Sequence, residues 1–110
     1  MKVSEIVKEL DLTVVAGAAG IGREVKDGYV SDLLSDVMGN ADEGYVWITL
    51  QTHKNVMAIA SLKDLAAIIL VSGHKPDADM AQQAEEEGIP ILSTHLPTFE
   101  IAGRLYCILK

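Results

Sequence analysis

The chain is short of cysteine, of long apolar segments and of aromatic residues, and each shortage excludes a class of protein. A single cysteine, Cys107, cannot form an internal disulfide, which is typical of a reducing compartment. No apolar run approaches the roughly 20 residues that span a bilayer. No apolar signal core follows the N-terminus. Together these features predict a cytoplasmic protein that does not enter the membrane.

Basic residues are also scarce. Nine Lys and Arg face sixteen Asp and Glu, so the formal net charge is −7. The basic residues are scattered along the chain, whereas nucleic-acid binding depends on neutralising phosphates with clustered Lys and Arg. Nucleic acid is therefore excluded as a partner. The acidic run Glu85-Glu86-Glu87 is interpreted as a solvated helix face.

Hydrophobic residues, by contrast, make up 49% of the 110 positions. This length predicts a single domain over residues 1–110 with one substantial core. Because there are only one Trp, one Phe and three Tyr, that core must be mainly aliphatic. Trp47 is expected to be part of the core or of a contact between subunits.

Hydrophobic periodicity predicts five strands and five helices. The strands are expected at residues 12–16, 24–30, 45–50, 67–71 and 89–92. The helices are expected at residues 4–10, 31–40, 53–65, 76–88 and 97–109. Ser4 is predicted to cap the first helix and Ser31-Asp32 the second. The third helix should turn Val56, Ile59, Ala60 and Leu62 inward, and Cys107 should be a core thiol of the last helix.

The second half of the chain reads as three successive strand-then-helix units, which require parallel strands joined by right-handed crossovers. The run Ala67–Val71 is apolar without alternation, as in a strand covered on both faces. We therefore predict an α/β three-layer sandwich. Its sheet should be mostly parallel with four to five strands, and helices should cover both faces.

Polar residues follow three of the predicted strands. The three segments are Gln51-Thr52-His53 with Asn55, Ser72-Gly73-His74, and Ser93-Thr94-His95. Parallel strands end at one edge of a sheet, where ligands bind. All three histidines lie in these segments, 21 residues apart. Three histidines can form a zinc tripod, but His74 and His95 also fit loop residues without a function.

The segment around His53 is the strongest candidate because Thr49, Gln51, Thr52 and Asn55 accompany it. The free N–H groups of the following helix would favour an anion there, although ordinary capping by Thr52 would also explain these residues.

Other motifs point less clearly to a site. The glycines of 17–22 match neither nucleotide-loop pattern and predict a flexible connection. Asp32 and Asp36 are expected one helical turn apart, where they could hold a cation or act as an acid pair. Asp32 also fits a first-turn residue that the helix dipole favours.

The chain resembles the DRTGG domain family in three segments. They are Ser31-Asp32-Leu33-Leu34-Ser35-Asp36-Val37-Met38, Trp47 to Val56 (WITLQTHKNV), and Ile89-Pro90-Ile91-Leu92 ahead of Thr98-Phe99. The resemblance implies a three-layer α/β fold similar to the N-terminal domain of HPr kinase/phosphorylase. It also implies a regulatory or ligand-sensing module that works as a homo-oligomer or beside a partner enzyme. Asp32, Thr49, His53 and Asn55 match the family segments, whereas His74 and His95 do not. Kinase activity is rejected because the chain has no Walker A motif.

The leading hypothesis is a non-catalytic regulatory or ligand-sensing module. It is expected to form a homodimer and to bind a small anionic metabolite or nucleotide at the carboxyl edge of the sheet. No catalytic residue, cofactor or metal is assigned. The predicted ligand-binding residues are Thr49, Gln51, Thr52, His53, Asn55, Ser72, Gly73 and Thr94.

Two alternatives remain open. One is an accessory subunit without a ligand, which docks on a metabolic or redox enzyme complex through an apolar edge near Trp47 or the last helix. The other is a metal-dependent hydrolase that uses the loop histidines.

Overall fold

A computed structural model describes residues 1–110 and contains five helices and five strands. The helices are α1 (Val3–Glu9), α2 (Leu34–Asn40), α3 (Asn55–Leu62), α4 (Ala78–Glu87) and α5 (Thr98–Leu109). The strands are β1 (Thr13–Ala16), β2 (Asp27–Val30), β3 (Tyr45–Thr49), β4 (Ala67–Leu70) and β5 (Ile91–Ser93). A 3₁₀ turn, Ala18–Gly20, follows β1. The predicted number and order of elements are confirmed, with shorter strands and helices at several ends.

The strands form one sheet in the order β1-β5-β4-β3-β2. Strands β2 to β5 are parallel to their neighbours, and β1 is antiparallel to β5. The carboxyl ends of the four parallel strands therefore share one edge of the sheet, which we call the carboxyl edge. Because β1 runs the other way, its first residue, Thr13, pairs with Ser93 at the same edge.

Helices cover both faces of the sheet, as expected for a three-layer sandwich. On one face, α2, α3 and α4 pack on alternate strand residues that include Trp47, Ile68 and Leu70. On the other face, α1 and α5 pack on residues that include Ile48 and Ile69. Every residue of β4 is buried, because side chains on both faces of this central strand meet helices. The predicted fold class is confirmed.

Two predicted helix caps are wrong. Ser4 lies inside α1, and the Glu5 carboxylate instead accepts a hydrogen bond from the Lys2 backbone N–H at 3.0 Å. Helix α2 begins after Leu33, without a side-chain cap from Ser31 or Asp32. Capping requires a particular backbone geometry as well as the right side chain, so the side-chain types alone misplaced both starts.

Two side chains expected in the core lie on the surface instead. Leu62 is 69% exposed at the end of α3, and Cys107 is exposed on α5. Each lies on the outer side of a helix whose opposite side is buried. The predictions that Leu62 turns inward and that Cys107 is a core thiol are therefore wrong.

The glycines of 17–22 allow close packing between chain segments. Gly17 has φ +73°, and a Cβ there would collide with the Ile89 carbonyl group. A Cβ on Gly20 would collide with the Gly88 carbonyl oxygen. The Gly17 N–H also donates to the Glu85 carboxylate at 2.6 Å. The expected flexible connection is thus a tightly packed turn against the segment between α4 and β5.

Candidate ligand-binding site

The three polar segments that follow β3, β4 and β5 all leave the carboxyl edge, because these strands are parallel. They do not form one site, however. The segment after β3 is bonded to neighbouring parts of the chain, whereas the segments after β4 and β5 line a cleft together.

Asp32 organises the segment after β3. Its Oδ1 accepts hydrogen bonds from the Thr49 hydroxyl and the Leu50 backbone N–H, both at 2.8 Å. The Gln51 side chain donates to the Asp32 carbonyl oxygen at 2.9 Å, and the Gln51 N–H donates to the Thr49 hydroxyl oxygen at 3.2 Å. Thr49 itself is buried. These two predicted ligand-binding residues, Thr49 and Gln51, therefore tie the end of β3 to the segment between β2 and α2.

The next residues tie the β3–α3 connection to the start of α4. The exposed His53 lies with its Nδ1 2.9 Å from the Asp77 carboxylate, and the Asp77 N–H donates to the Thr52 carbonyl oxygen at 2.9 Å. Helix α3 has no side-chain cap, so the predicted capping by Thr52 is not observed. Asn55 is exposed and lines a separate shallow depression between α3 and α4.

The start of α3 offers fewer free donors than an anion site requires. The Val56 N–H donates to the His53 carbonyl oxygen at 3.0 Å, and the Met57 N–H donates to the Lys54 carbonyl oxygen at 2.9 Å. Backbone atoms already accept from these two groups, so the helix terminus presents little unsatisfied positive potential to a ligand.

A cleft of about 280 Å³ opens between β1, the β4–α4 connection and the end of β5. No hydrophobic residue lines it; its walls are Asp11, Thr13, Gly73, His74, Lys75, Ser93, Thr94 and His95. The antiparallel pairing of Thr13 with Ser93 brings the start of β1 into the wall. We call this the polar cleft. Of the predicted ligand-binding residues, it contains Gly73 and Thr94.

Backbone hydrogen bonds hold the walls of the polar cleft together. The Gly73 N–H donates to the Thr94 carbonyl oxygen, and the Ser72 N–H donates to the Leu96 carbonyl oxygen, both at 2.9 Å. The Thr94 hydroxyl oxygen accepts from the Leu96 N–H at 3.1 Å. Ser72 and Gly73 both have positive φ values, 55° and 75°. Ser72 thus supports the wall through its backbone, and its side chain does not line the cleft.

The basic side chains of the polar cleft have no partner within the protein. His74, Lys75 and His95 take part in no side-chain hydrogen bond or ion pair, and the same is true of the Asp11 carboxylate. By contrast, the His53 imidazole and the Asp32 carboxylate are both engaged. A Cβ on Gly73 would lie 3.4 Å from the His95 Nδ1, so glycine keeps the wall open beside this ring.

Asp36 has a structural environment of its own. Its carboxylate oxygens each lie 3.0 Å from the Tyr29 hydroxyl, and the Asn40 amide donates to Oδ1 at 3.0 Å. Hydrogen bonding from Ser31 and from Tyr29 lowers the pKa of Asp36. The same bond to Asp36 raises the pKa of Tyr29. Asp32 and Asp36 thus bind different partners, which leaves the predicted acid pair without support.

The histidines are not gathered around one point. His53 faces Asp77, while His74 and His95 line the polar cleft. No group of three or more His, Cys, Asp or Glu side chains is placed to hold a metal ion. The geometry does not provide the tripod that a zinc hydrolase would need.

Three residues of the polar cleft were not among the sequence candidates: Asp11, Thr13 and Lys75. Lys75 directly follows His74 and could have been included from its position after β4. Asp11 and Thr13 could not, because only the antiparallel direction of β1 brings them to the carboxyl edge.

The chain is thus a three-layer α/β domain with a polar cleft at the carboxyl edge of its sheet. The model of the DRTGG domain family matches residues 5–107, and the chain belongs to this family. No curated protein is significantly similar to it in sequence. None of its helices is both long and apolar enough to cross a membrane.

A solved structure with the same fold is that of the CBS and DRTGG domains of the regulatory region of Clostridium perfringens pyrophosphatase, complexed with its activator, diadenosine tetraphosphate. The TM-score is 0.66 at 16% sequence identity. The similarity covers 94% of this chain and 45% of that one, so the present chain spans less than half of the neighbour. In that protein, a DRTGG domain is part of an enzyme's regulatory region.

Proposed function

We propose that this chain is a non-catalytic regulatory module that binds a small anionic metabolite or nucleotide in the polar cleft. The observation that carries the proposal is the set of unpaired basic side chains, His74, Lys75 and His95, on walls held by backbone hydrogen bonds. Polar side chains without internal partners can bind a ligand without first breaking contacts within the protein. The neighbour that shares the fold contains a regulatory region and a nucleotide activator, which supports the same class of role.

The residues first predicted to bind the ligand take different parts in this proposal. Gly73 and Thr94 line the cleft, and Ser72 holds its wall. Thr49, Gln51, Thr52 and His53 form a support for the carboxyl edge beside the cleft. Asn55 has no part, since it faces a different depression.

The proposal is tested by thermal unfolding with a panel of nucleotides and phosphorylated metabolites. A ligand at ten times its Kd stabilises the folded state by about 1.4 kcal/mol, and each kcal/mol raises the Tm of a domain of this size by about 4–8 °C. We expect a saturable rise that is lost in the double variant His74→Ala with Lys75→Ala.

The matched control is His53→Ala with Lys54→Ala, which removes the same residue types from the neighbouring connection. This control should retain the ligand-dependent rise in Tm. A panel without any saturable rise, or a rise that only the control variant loses, would contradict the proposal.

We further propose that the module forms a homodimer through the exposed side of α5. Phe99 is 92% exposed and Tyr106 is 65% exposed on this helix, and Gly103 between them has open space where a Cβ would be. One turn apart on the same helix, Nη2 of Arg104 lies 3.8 Å from Oε2 of Glu100. In an antiparallel pairing about a twofold axis, each Phe99 can cover the partner's Gly103, and each Glu100 can face the partner's Arg104.

Sedimentation velocity of charge-reversed variants tests the dimer. Glu100→Arg and Arg104→Glu should each weaken dimerisation by placing like charges together, and the double exchange should restore it. A wild-type monomer at all concentrations would contradict the homodimer. In that case, a stoichiometric partner enzyme that is lost on Phe99→Glu would favour the accessory-subunit function instead.

A further inference from the structure

The polar cleft contains one acidic side chain among its basic ones, and this contrast indicates a more specific ligand. His74, Lys75 and His95 come from the connections after β4 and β5, while Asp11 comes from the residues before β1. The Asp11 carboxylate forms no hydrogen bond or ion pair with the basic side chains that line the same cleft. A simple anion could accept hydrogen bonds from the three basic side chains but would be repelled by the carboxylate.

A ligand that carries a hydrogen-bond donor beside its anionic group uses all four side chains. The anion would lie against the wall that carries the basic side chains, and the Asp11 carboxylate would accept the donor, in a charge-assisted bond that is stronger than one between neutral groups. Thr13 and Ser93, which are paired across β1 and β5, also line the cleft and carry hydroxyl groups. They provide additional donors and acceptors for a polyol.

The size of the cleft limits the part of the ligand that it can enclose. Its volume of about 280 Å³ is slightly below the range of about 300–1,000 Å³ that is usual for drug-sized ligands. No hydrophobic side chain lines it, and its only rings are the imidazoles of His74 and His95, so it provides little apolar surface for a nucleotide base. A single phosphorylated sugar suits both the volume and the lining, and a base would remain outside.

We infer that the polar cleft is a subsite for a phosphorylated polyol, such as the ribose phosphate unit of a nucleotide or a free sugar phosphate. The phosphate group contacts His74, Lys75 and His95, and a hydroxyl of the same molecule donates to Asp11. This inference rests on the proposed function and specifies the class of ligand. It assigns to Asp11 the role of selecting a phosphate ester over free phosphate.

Calorimetric titrations of the full chain with inorganic phosphate, ribose 5-phosphate and AMP test the inference. We expect ribose 5-phosphate to bind more tightly than inorganic phosphate, by about tenfold for one charge-assisted hydrogen bond. AMP should bind at least as tightly as ribose 5-phosphate. A clear gain for AMP would identify a nucleotide as the source of the sugar phosphate, and equal affinities would indicate a free sugar phosphate.

Asp11→Asn is the discriminating variant. Asp11 has a positive φ of 52°, and asparagine tolerates this backbone region, so the substitution removes the charge while it preserves the fold. Affinity for inorganic phosphate should rise about two- to fivefold as repulsion is lost. The preference for ribose 5-phosphate over phosphate should fall at least about fivefold as the charge-assisted bond is lost. Lys75→Gln should weaken binding of both ligands.

Asp42→Asn is the control, because it makes the same charge change at an exposed residue beyond the opposite edge, just before β3. It should leave the preference unchanged. An unchanged preference in Asp11→Asn, or equal binding of phosphate and ribose 5-phosphate by the wild type, would overturn the inference. If other anions still stabilise the protein through the cleft, the proposed function survives this result. If no compound binds, the proposed function fails as well.

Discussion

Some polar side chains at the carboxyl edge have hydrogen-bond partners within the protein, and others have none. Asp32, Thr49 and Gln51 bond to one another and to the backbone, whereas His74 and His95 have no internal partner. A buried hydroxyl or a charged acceptor that loses its partner is costly, so the first group stabilises the fold. The second group contributes little to stability and remains available for binding.

Asp32→Ala should therefore destabilise the domain. It removes the acceptor for the buried Thr49 hydroxyl and for the Leu50 N–H, and we expect a loss of about 1–3 kcal/mol in the free energy of unfolding. Urea denaturation measures this change. Asp42→Ala removes an exposed acid without side-chain partners, and its effect should stay within about 0.5 kcal/mol. Equal effects of the two substitutions would contradict the structural role of Asp32.

Asp36 should make the stability depend on pH at the acidic end. Its pKa is lowered in the folded state by hydrogen bonds from Ser31 and Tyr29. The unfolded state therefore takes up a proton first as the pH falls. The stabilisation is fully present above the ordinary carboxyl value of 3.8 and is lost as the pH falls from there through the lower folded pKa.

Denaturation curves at pH 7 and at pH 3 test this contribution. Asp36→Asn should reduce stability at pH 7. On acidification this variant should lose less stability than the wild type does, because its amide does not titrate. Tyr29→Phe should shift stability in the same sense, because it removes one of the hydrogen bonds that lower the pKa of Asp36. If the wild type and Asp36→Asn lost the same amount of stability between pH 7 and pH 3, this contribution of Asp36 would be ruled out.

At the scale of elements, the sequence predicted the strands and helices well because their signals are local. The uninterrupted apolar run at 67–71 identifies a doubly covered strand, and β4 is buried throughout. Helix caps and exposed helix sides were less predictable, as Ser4 and Cys107 show. The polar cleft was predicted only in part. Its Gly73 and Thr94 follow parallel strands, but Asp11 reaches the cleft through the antiparallel direction of β1, which no local pattern reports.

The turn after β1 should require glycine at position 17. Gly17→Ala combines a positive φ with a collision against the Ile89 carbonyl group, and it should destabilise the domain by more than about 1 kcal/mol. Gly22→Ala is the control, because no atom lies within 4 Å of a Cβ there and its φ is not positive. Thermal unfolding measures the Tm of both variants. Equal Tm values would contradict the tight packing of this turn.

At the scale of the whole molecule, one sheet separates two aliphatic cores, and the central strands supply residues to both. Ile69 lies in the core beneath α1 and α5, while its neighbours Ile68 and Leu70 lie in the other core. Each fully buried aliphatic side chain contributes about 1.5–3 kcal/mol. Sheet and helices therefore depend on each other for stability.

Ile69→Asp should prevent folding, because it places a charge without a partner in a fully buried position. Leu62→Asp introduces the same side chain at a residue that is 69% exposed and should leave the domain folded. Circular dichroism and the soluble yield of both variants check this contrast. A folded Ile69→Asp variant with unchanged melting would contradict the position of this strand at the centre of the sheet.

The arrangement of the whole sheet also favours the polar cleft, and not the connection after β3, as the proposed binding site. Four strand ends and the start of β1 meet at the carboxyl edge, but the hydrogen bonds around Asp32 and His53 already use the polar groups on one side of it. On the remaining side, Asp11 and the three basic residues of the polar cleft have no internal partner for their side chains, which is why we propose the ligand there.

Chemical-shift mapping of ¹⁵N-labelled protein during titration with AMP would locate the bound ligand. We expect saturable shifts concentrated at the backbone amides of residues 11–13, 73–75 and 93–95, with small shifts at 51–55. Shifts concentrated at residues 51–55, or no saturable shift anywhere, would contradict binding in the polar cleft.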